Sequence, residues 1–249
     1  MRLGISTGGR PAAIAVAACL LTVGHPVWPT GTMVAAAAQT LVEGATTTAS
    51  GAASTAQAAP LPAAQPSPRA PLRLTYFIGA GAVDGTARES DRELAAWALE
   101  AWQRNVDGAF TLEAAPESEA DLRLYWVSND ASLYGQARRT GTGDRPQAVV
   151  VVNPDMNGLG PVMAARTTAD PLLRDVIVYL TCLHELGHAL GLAHTDEFAD
   201  IMYTFGAGGD IVEYFDRYRR QIMRRADIAL VSGLSPQDVA TIRTIFRQP

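Results

Sequence analysis

From residue 71 onward the apolar side chains recur in two rhythms, one of two residues and one of three to four. Leu72, Leu74, Phe77 and Ile78, set among polar partners, predict a first strand. Ser90 and Glu93 then form an S-x-x-E pair of the capping-box type. Leu94, Trp97, Leu99, Ala101 and Trp102 follow at helical spacing and predict an amphipathic helix to about Asn105. Leu122, Leu124 and Trp126 alternate with Arg123, Tyr125 and Val127, the pattern of a half-buried strand. Val149 to Val152 is apolar throughout and short, as a central strand is. A Gly-rich loop, 128–147, separates the two, with an edge strand expected inside it around Gly135–Arg138.

Asp170 as N-cap and Pro171 at the first helical position open a long helix that runs through Leu190. Its side chains are apolar nearly all round, so it belongs inside the domain. Gly191 stops it. A second amphipathic helix is expected over Ile211 to Ala229, and Ser235-Pro236-Gln237-Asp238 caps a last one ending near Phe246. Strand–helix, two strands, then helices make an α+β domain, and no internal repeat interrupts it.

The first 70 residues are of another kind. They hold one acid, Glu43, and three arginines. Arg2 and Arg10 precede an apolar run from Pro11 to Val23, and the small-residue stretch Val34 to Ala38 follows. Those are the parts of a secretory signal peptide, expected over 1–38. The run is too short to cross a hydrocarbon core of about 30 Å, so no stable membrane span is expected. An uncleaved leader, or lipidation at Cys19 in Val16-Ala17-Ala18-Cys19, is the alternative. Residues 39–70 are rich in Ala, Thr, Ser, Gln and Pro with few bulky side chains, and read as a disordered linker or short propeptide. A catalytic-size domain is left over 71–249, long enough for two lobes around a cleft.

That domain carries 17 Arg, no Lys and 24 Asp plus Glu, a negative balance that argues against a nucleic-acid partner. Two cysteines, Cys19 and Cys182, leave no disulfide framework. Cys182 reads as a small buried apolar residue. Arg217, Arg219, Arg220, Arg224 and Arg225 make the second helix basic, which reads as a solvated face.

The chemistry lies in His184-Glu185-Leu186-Gly187-His188, in the second half of the buried helix. Positions i and i+4 are about 40° apart around a helix, so both imidazoles project from one face, one turn apart. Both ring nitrogens can then reach one ion at the ~2.0–2.1 Å of a Zn–N bond. Glu185 is rotated about 100° from His184, beside the ion rather than on it, where it can take a proton from water. Gly191 can adopt the left-handed conformation that turns the chain, letting His194 swing back as a third ligand. Three protein ligands with one position left open describe a catalytic zinc. Of four histidines, His25 lies in the leader and the other three fall in this window.

The window His184-Glu185-Leu186-Gly187-His188-Ala189-Leu190-Gly191-Leu192-Ala193-His194-Thr195, followed by Ile201-Met202-Tyr203, resembles the metzincin clan of zinc peptidases, and within it most closely the matrixins. Ala120 to Leu124 is similar to the strand after that family's first helix, and Leu234 through Ile245 to its C-terminal helix. The resemblance implies a twisted mixed sheet, a buried active-site helix and a smaller helical C-terminal lobe. It makes His184, His188 and His194 the ligands of one catalytic zinc and Glu185 the general base. Met202 would be the residue beneath the metal. A polypeptide substrate would lie extended along an edge strand, for which Gly135–Arg138 is the candidate.

The chain also departs from that family. The region before residue 71 offers only Cys19, so latency through a propeptide thiol is not expected. No histidine remains for a second zinc. Calcium could be held by aspartates such as Asp144 and Asp155, though no ordered ligand pattern marks a site. Tyr203-Thr204-Phe205 stands where the family has a Pro and a Tyr around its specificity pocket, and 206–231 reads as a helical insertion. Tyr203 and Asp196 are candidates for substrate or second-sphere contacts. The expectation is a secreted, monomeric zinc endopeptidase. Alternatives are a zinc-bearing peptide-binding module without turnover, an exopeptidase, or a peptidase of narrow range.

Overall fold

The structure, a computed structural model, describes residues 70–81, 86–127, 134–141 and 145–247. The signal and linker expectations, Cys19 and Asp144 lie outside them.

Strand β1 (Leu72–Ile78) runs parallel to both of its neighbours, β2 (Phe110–Ala114) and β3 (Leu122–Trp126). Beyond β3 lies β5 (Ala148–Val152), also parallel, and the edge is closed by β4 (Gly135–Arg139), antiparallel to β5. The order is therefore β2-β1-β3-β5-β4, a five-stranded mixed sheet. With the helices that follow, the class is α+β. Among the described residues no helix is long and apolar enough to cross a membrane.

The register of the edge strand decides what it offers outward. Thr140 donates to the Gln147 carbonyl and Asn153 to that of Tyr134, both at 2.7 Å. These bonds make 134, 136, 138 and 140 the hydrogen-bonded positions toward β5. Gly135, Ala137 and Arg139 consequently aim their amides and carbonyls away from the sheet.

Helix α1 (Asp91–Arg104) packs against α3 (Pro171–Leu190), which also covers β4 and β5. The Asp170 carboxylate caps α3, accepting from the amides of Leu172 and Leu173. Most of α3 is buried, including Val176, Ile177, Leu183 and Leu186, and Cys182 is fully enclosed. Trp102 of α1 donates its indole N–H to the Leu183 carbonyl at 2.9 Å. The two helices are fastened again at their starts, where Arg174 makes a bidentate pair with Asp91 at 2.6 and 2.8 Å, both side chains buried.

Four readings of the chain are corrected. The Ser90–Glu93 capping box does not form: the Ser90 side chain makes no cap bond, and Asp91 accepts the Arg88 amide instead. Strand β2 and helix α2 (Gly160–Ala169) were not anticipated. The helix expected over 211–229 is broken into α4 (Ile211–Arg219) and a short 3-10 turn, Arg225–Ala229. Of its arginines only Arg220 and Arg224 are solvated, and four of the five are paired with carboxylates rather than forming a bare basic face. Arg219 pairs with Asp170, Arg220 with Glu213, Arg224 with Asp227, and Arg225 with Asp175 and Glu93. The last helix, α5, spans Pro236–Arg247.

Candidate metal centre

His184 and His188 leave α3 on one face, and the helix ends one turn later. Gly191 takes a φ of 108°, in the left-handed region, and the Leu192 amide closes back onto the Gly187 carbonyl at 2.9 Å. This turn brings His194 over the other two rings.

The hydrogen-bond partners of the rings settle their tautomers. His184 Nδ1 lies 2.6 Å from the Ile201 carbonyl and His188 Nδ1 2.9 Å from that of Leu192. A carbonyl only accepts, so each Nδ1 carries the proton and each Nε2 is bare. The Nε2 atoms of His184 and His188 then face that of His194 at 3.2 and 3.0 Å. Bare lone pairs converge on one point, an arrangement that a cation relieves. This is the one group of three or more His, Cys, Asp or Glu side chains among the described residues that could hold a metal ion. Burial pushes His184 down to about 3 and holds His188 and His194 below the ordinary imidazole value, so the rings are neutral donors at pH 7.

Glu185, one residue along the helix, is buried beside β4. A Cβ placed on Gly135 would lie 2.6 Å from its Cγ and 2.7 Å from Oε1, so only glycine fits there. Burial pushes the carboxyl up to about 8, against a hydrogen bond from the Ala137 amide that pulls it down. Its Oε2 has no hydrogen-bond partner. An orphaned carboxylate oxygen next to three converging imidazoles is a proton acceptor with nothing else to bind.

Met202 is buried and packs on Gly187, where a Cβ would come within 2.5 Å of Sδ and 3.0 Å of Trp102 Cζ2. The turn carrying it is held to Thr195, whose amide donates to the Met202 carbonyl at 2.9 Å and whose carbonyl accepts from Thr204 at 3.0 Å. Tyr203 is buried among Phe198, Phe205 and Tyr214, and its hydroxyl donates to the Gly208 carbonyl at 2.6 Å. It supports the turn from inside. Asp196 is exposed.

The carboxylates that do hold this segment, Asp200 and Asp238, were not singled out. Asp238 Oδ2 accepts from the amides of Ile201 and Ser235, both at 2.8 Å, and Ser235 Oγ donates to Asp200 at 2.6 Å. The Ile201 carbonyl is the one that orients His184, so a relay runs from Asp238 through Ile201 to a ligand ring. Ser235 and Asp238 stood out as helix caps only. The expected calcium ligand Asp155 uses its carboxylate on the amide and side chain of Asn157, capping a local turn.

Compared with known proteins, the chain matches no family model and no curated protein.

Proposed function

We propose that the chain is a secreted, zinc-dependent endopeptidase of metzincin type, most similar to the matrixins. The observation that carries this is the convergence of the Nε2 atoms of His184, His188 and His194, the first two bare, with the unpartnered Oε2 of Glu185 on the adjoining residue. Nitrogens bound tetrahedrally at 2.0–2.1 Å stand about 3.3 Å apart, close to the 3.0 and 3.2 Å seen here, and an all-imidazole set suits zinc. Zinc so held supplies Lewis acidity and lowers the pKa of water at its open position.

The protein's own groups supply the rest. Oε2 of Glu185 takes the proton of the attacking water and returns it to the leaving amine. Its burial against Gly135 keeps that carboxyl from solvent, which raises its proton affinity. The outward amides of Gly135 and Arg139 and the outward carbonyls of Gly135, Ala137 and Arg139 suit an extended peptide added antiparallel to β4, the Ala137 amide being held by Glu185. The positive start, apolar run and small-residue stretch of the leader support export.

Glu185→Gln tests the reading. Metal content should stay at one equivalent while kcat on an unstructured protein substrate falls by roughly 10²–10⁴-fold. Retained cleavage in this variant would remove Glu185 from the mechanism, and absence of bound zinc in the parent would sink the proposal.

A further inference from the structure

A cavity of about 390 Å³ lies between α3, α4 and the segment 231–235, outside the metal centre itself. Its wall on α3 is Leu180, four residues before His184 and eight before His188, on the same helix stripe. One helical turn rises about 5.4 Å, less than two residues of an extended peptide. The remaining wall includes Arg217, Gln221, Ser232 and Ser235.

Arg217 is the sole charged side chain of this lining, and it differs from the arginines around it. Each of Arg219, Arg220, Arg224 and Arg225 pairs with a carboxylate, whereas Arg217 is held by neutral groups. Its guanidinium donates to the carbonyls of Phe198 and Asp200 and stacks on Tyr214, 4.2 Å from the ring centre. The contacts fix its position, and among the described residues it makes no ion pair, although Oδ2 of nearby Asp200 is itself buried without a hydrogen-bond partner. Asp200 turns its Oδ1 to Ser235, and Asp216, next in sequence, is taken by Arg166. The cavity wall is mixed, with Ala199, Val231 and Leu234 beside the polar groups, and a half-buried, immobilised cation in it is complementary to an anion.

We infer that Arg217 is a specificity-determining residue that selects an acidic side chain of the substrate, Asp or Glu, within two residues of the cut bond. This rests on the peptidase reading. The cavity receives the side chain, the fixed guanidinium meets its carboxylate, and Gln221 and Ser232 offer further donors.

The test profiles cleavage by the zinc-loaded full chain on paired peptides that carry Glu or Gln at each position around the cut. Binding of the same pairs to the zinc-loaded Glu185→Gln protein is measured in parallel. A charge-assisted contact of this kind should favour Glu by roughly ten- to a hundredfold at one position within two residues of the cut. The ratio should fall to about one in Arg217→Gln. Gln221→Glu keeps the contacts of the Arg217 guanidinium, losing only the amide bond from Gln221 to the Arg217 carbonyl, and places a carboxylate in the cavity, so it should abolish the preference even if Arg217→Gln fails to fold. No preference in the parent, or one that survives Gln221→Glu, overturns the assignment. Should the parent cut nothing, the endopeptidase reading fails, and the binding ratio still decides the role of Arg217: Glu favoured and Gln221→Glu levelling it supports the site, equal binding rejects it.

Discussion

Gly135 and Glu185 are in contact across the space between edge strand β4 and helix α3, fifty residues apart in sequence, with no room for a Cβ between them. Gly135→Ala leaves the three imidazoles untouched, and the side chain able to yield is the Glu185 carboxylate. Metal content should be preserved while kcat falls by about 10²-fold, the usual effect of a 1 Å misplacement of a reacting group. Metal analysis beside steady-state kinetics checks this, and unchanged kcat would mean the carboxylate has freedom that the packing denies.

Acid should remove the metal late. The rings in the folded chain have depressed pKa values, His184 down to about 3, whereas unfolded rings titrate near 6.5. As pH falls through 6.5 the unfolded state takes up protons and the folded state does not, so stability of the metal-free chain declines from there toward about 3. Ligand protonation competes with the metal only in that lower range. Equilibrium dialysis across a pH series should find metal retained at pH 6, and release already complete there would contradict the burial of the rings.

Asp238→Ala should loosen the metal without touching a ligand. Its carboxylate holds the Ile201 amide, and the Ile201 carbonyl orients His184. Outer partners of this sort are worth about ten- to a hundredfold in metal affinity, and a chelator competition assay reads it directly.

The Arg174–Asp91 pair should behave as buried pairs do. Asp91→Asn leaves the buried guanidinium with only the looser 3.6 Å ion pair to Asp175 and should cost about 3 kcal/mol in urea unfolding, whereas Asp91→Leu with Arg174→Met should recover most of it. Additive losses in the double variant would show that the two side chains do not act together.

How much of this was readable from the chain depended on whether the cause was local. The strands β1, β3, β4 and β5, and helices α1, α3 and α5, follow from periodicity and caps that lie within each segment. Strand β2 does alternate, Phe110, Leu112 and Ala114 against Thr111 and Glu113, but the run is only five residues long and just Phe110 of it is buried. Helix α2 buries only Met163 and Thr167 and opens on Gly160-Pro161, which reads as a turn. The break after Arg219 has a tertiary cause: that side chain reaches Asp170 and the Ile222 carbonyl, while Asp227 takes the amides of Met223 and Arg224. The ligands were legible because spacing on a helix fixes their directions. Gly135, Asp200, Asp238 and Arg217 were not, since each matters only once distant elements meet.

The converging nitrogens are separated by only 10 and 6 residues, and the carbonyls that orient two of the rings lie at 192 and 201. Loop closures of that length carry a small entropic penalty and form quickly. The ion can therefore be captured by a short stretch of chain before the sheet is complete. Gly135 reaches Glu185 only after β4 has docked. The gathering of the three rings and the closure of Gly135 onto Glu185 therefore depend on contacts of different range, the first within one short stretch of chain and the second across the edge of the sheet.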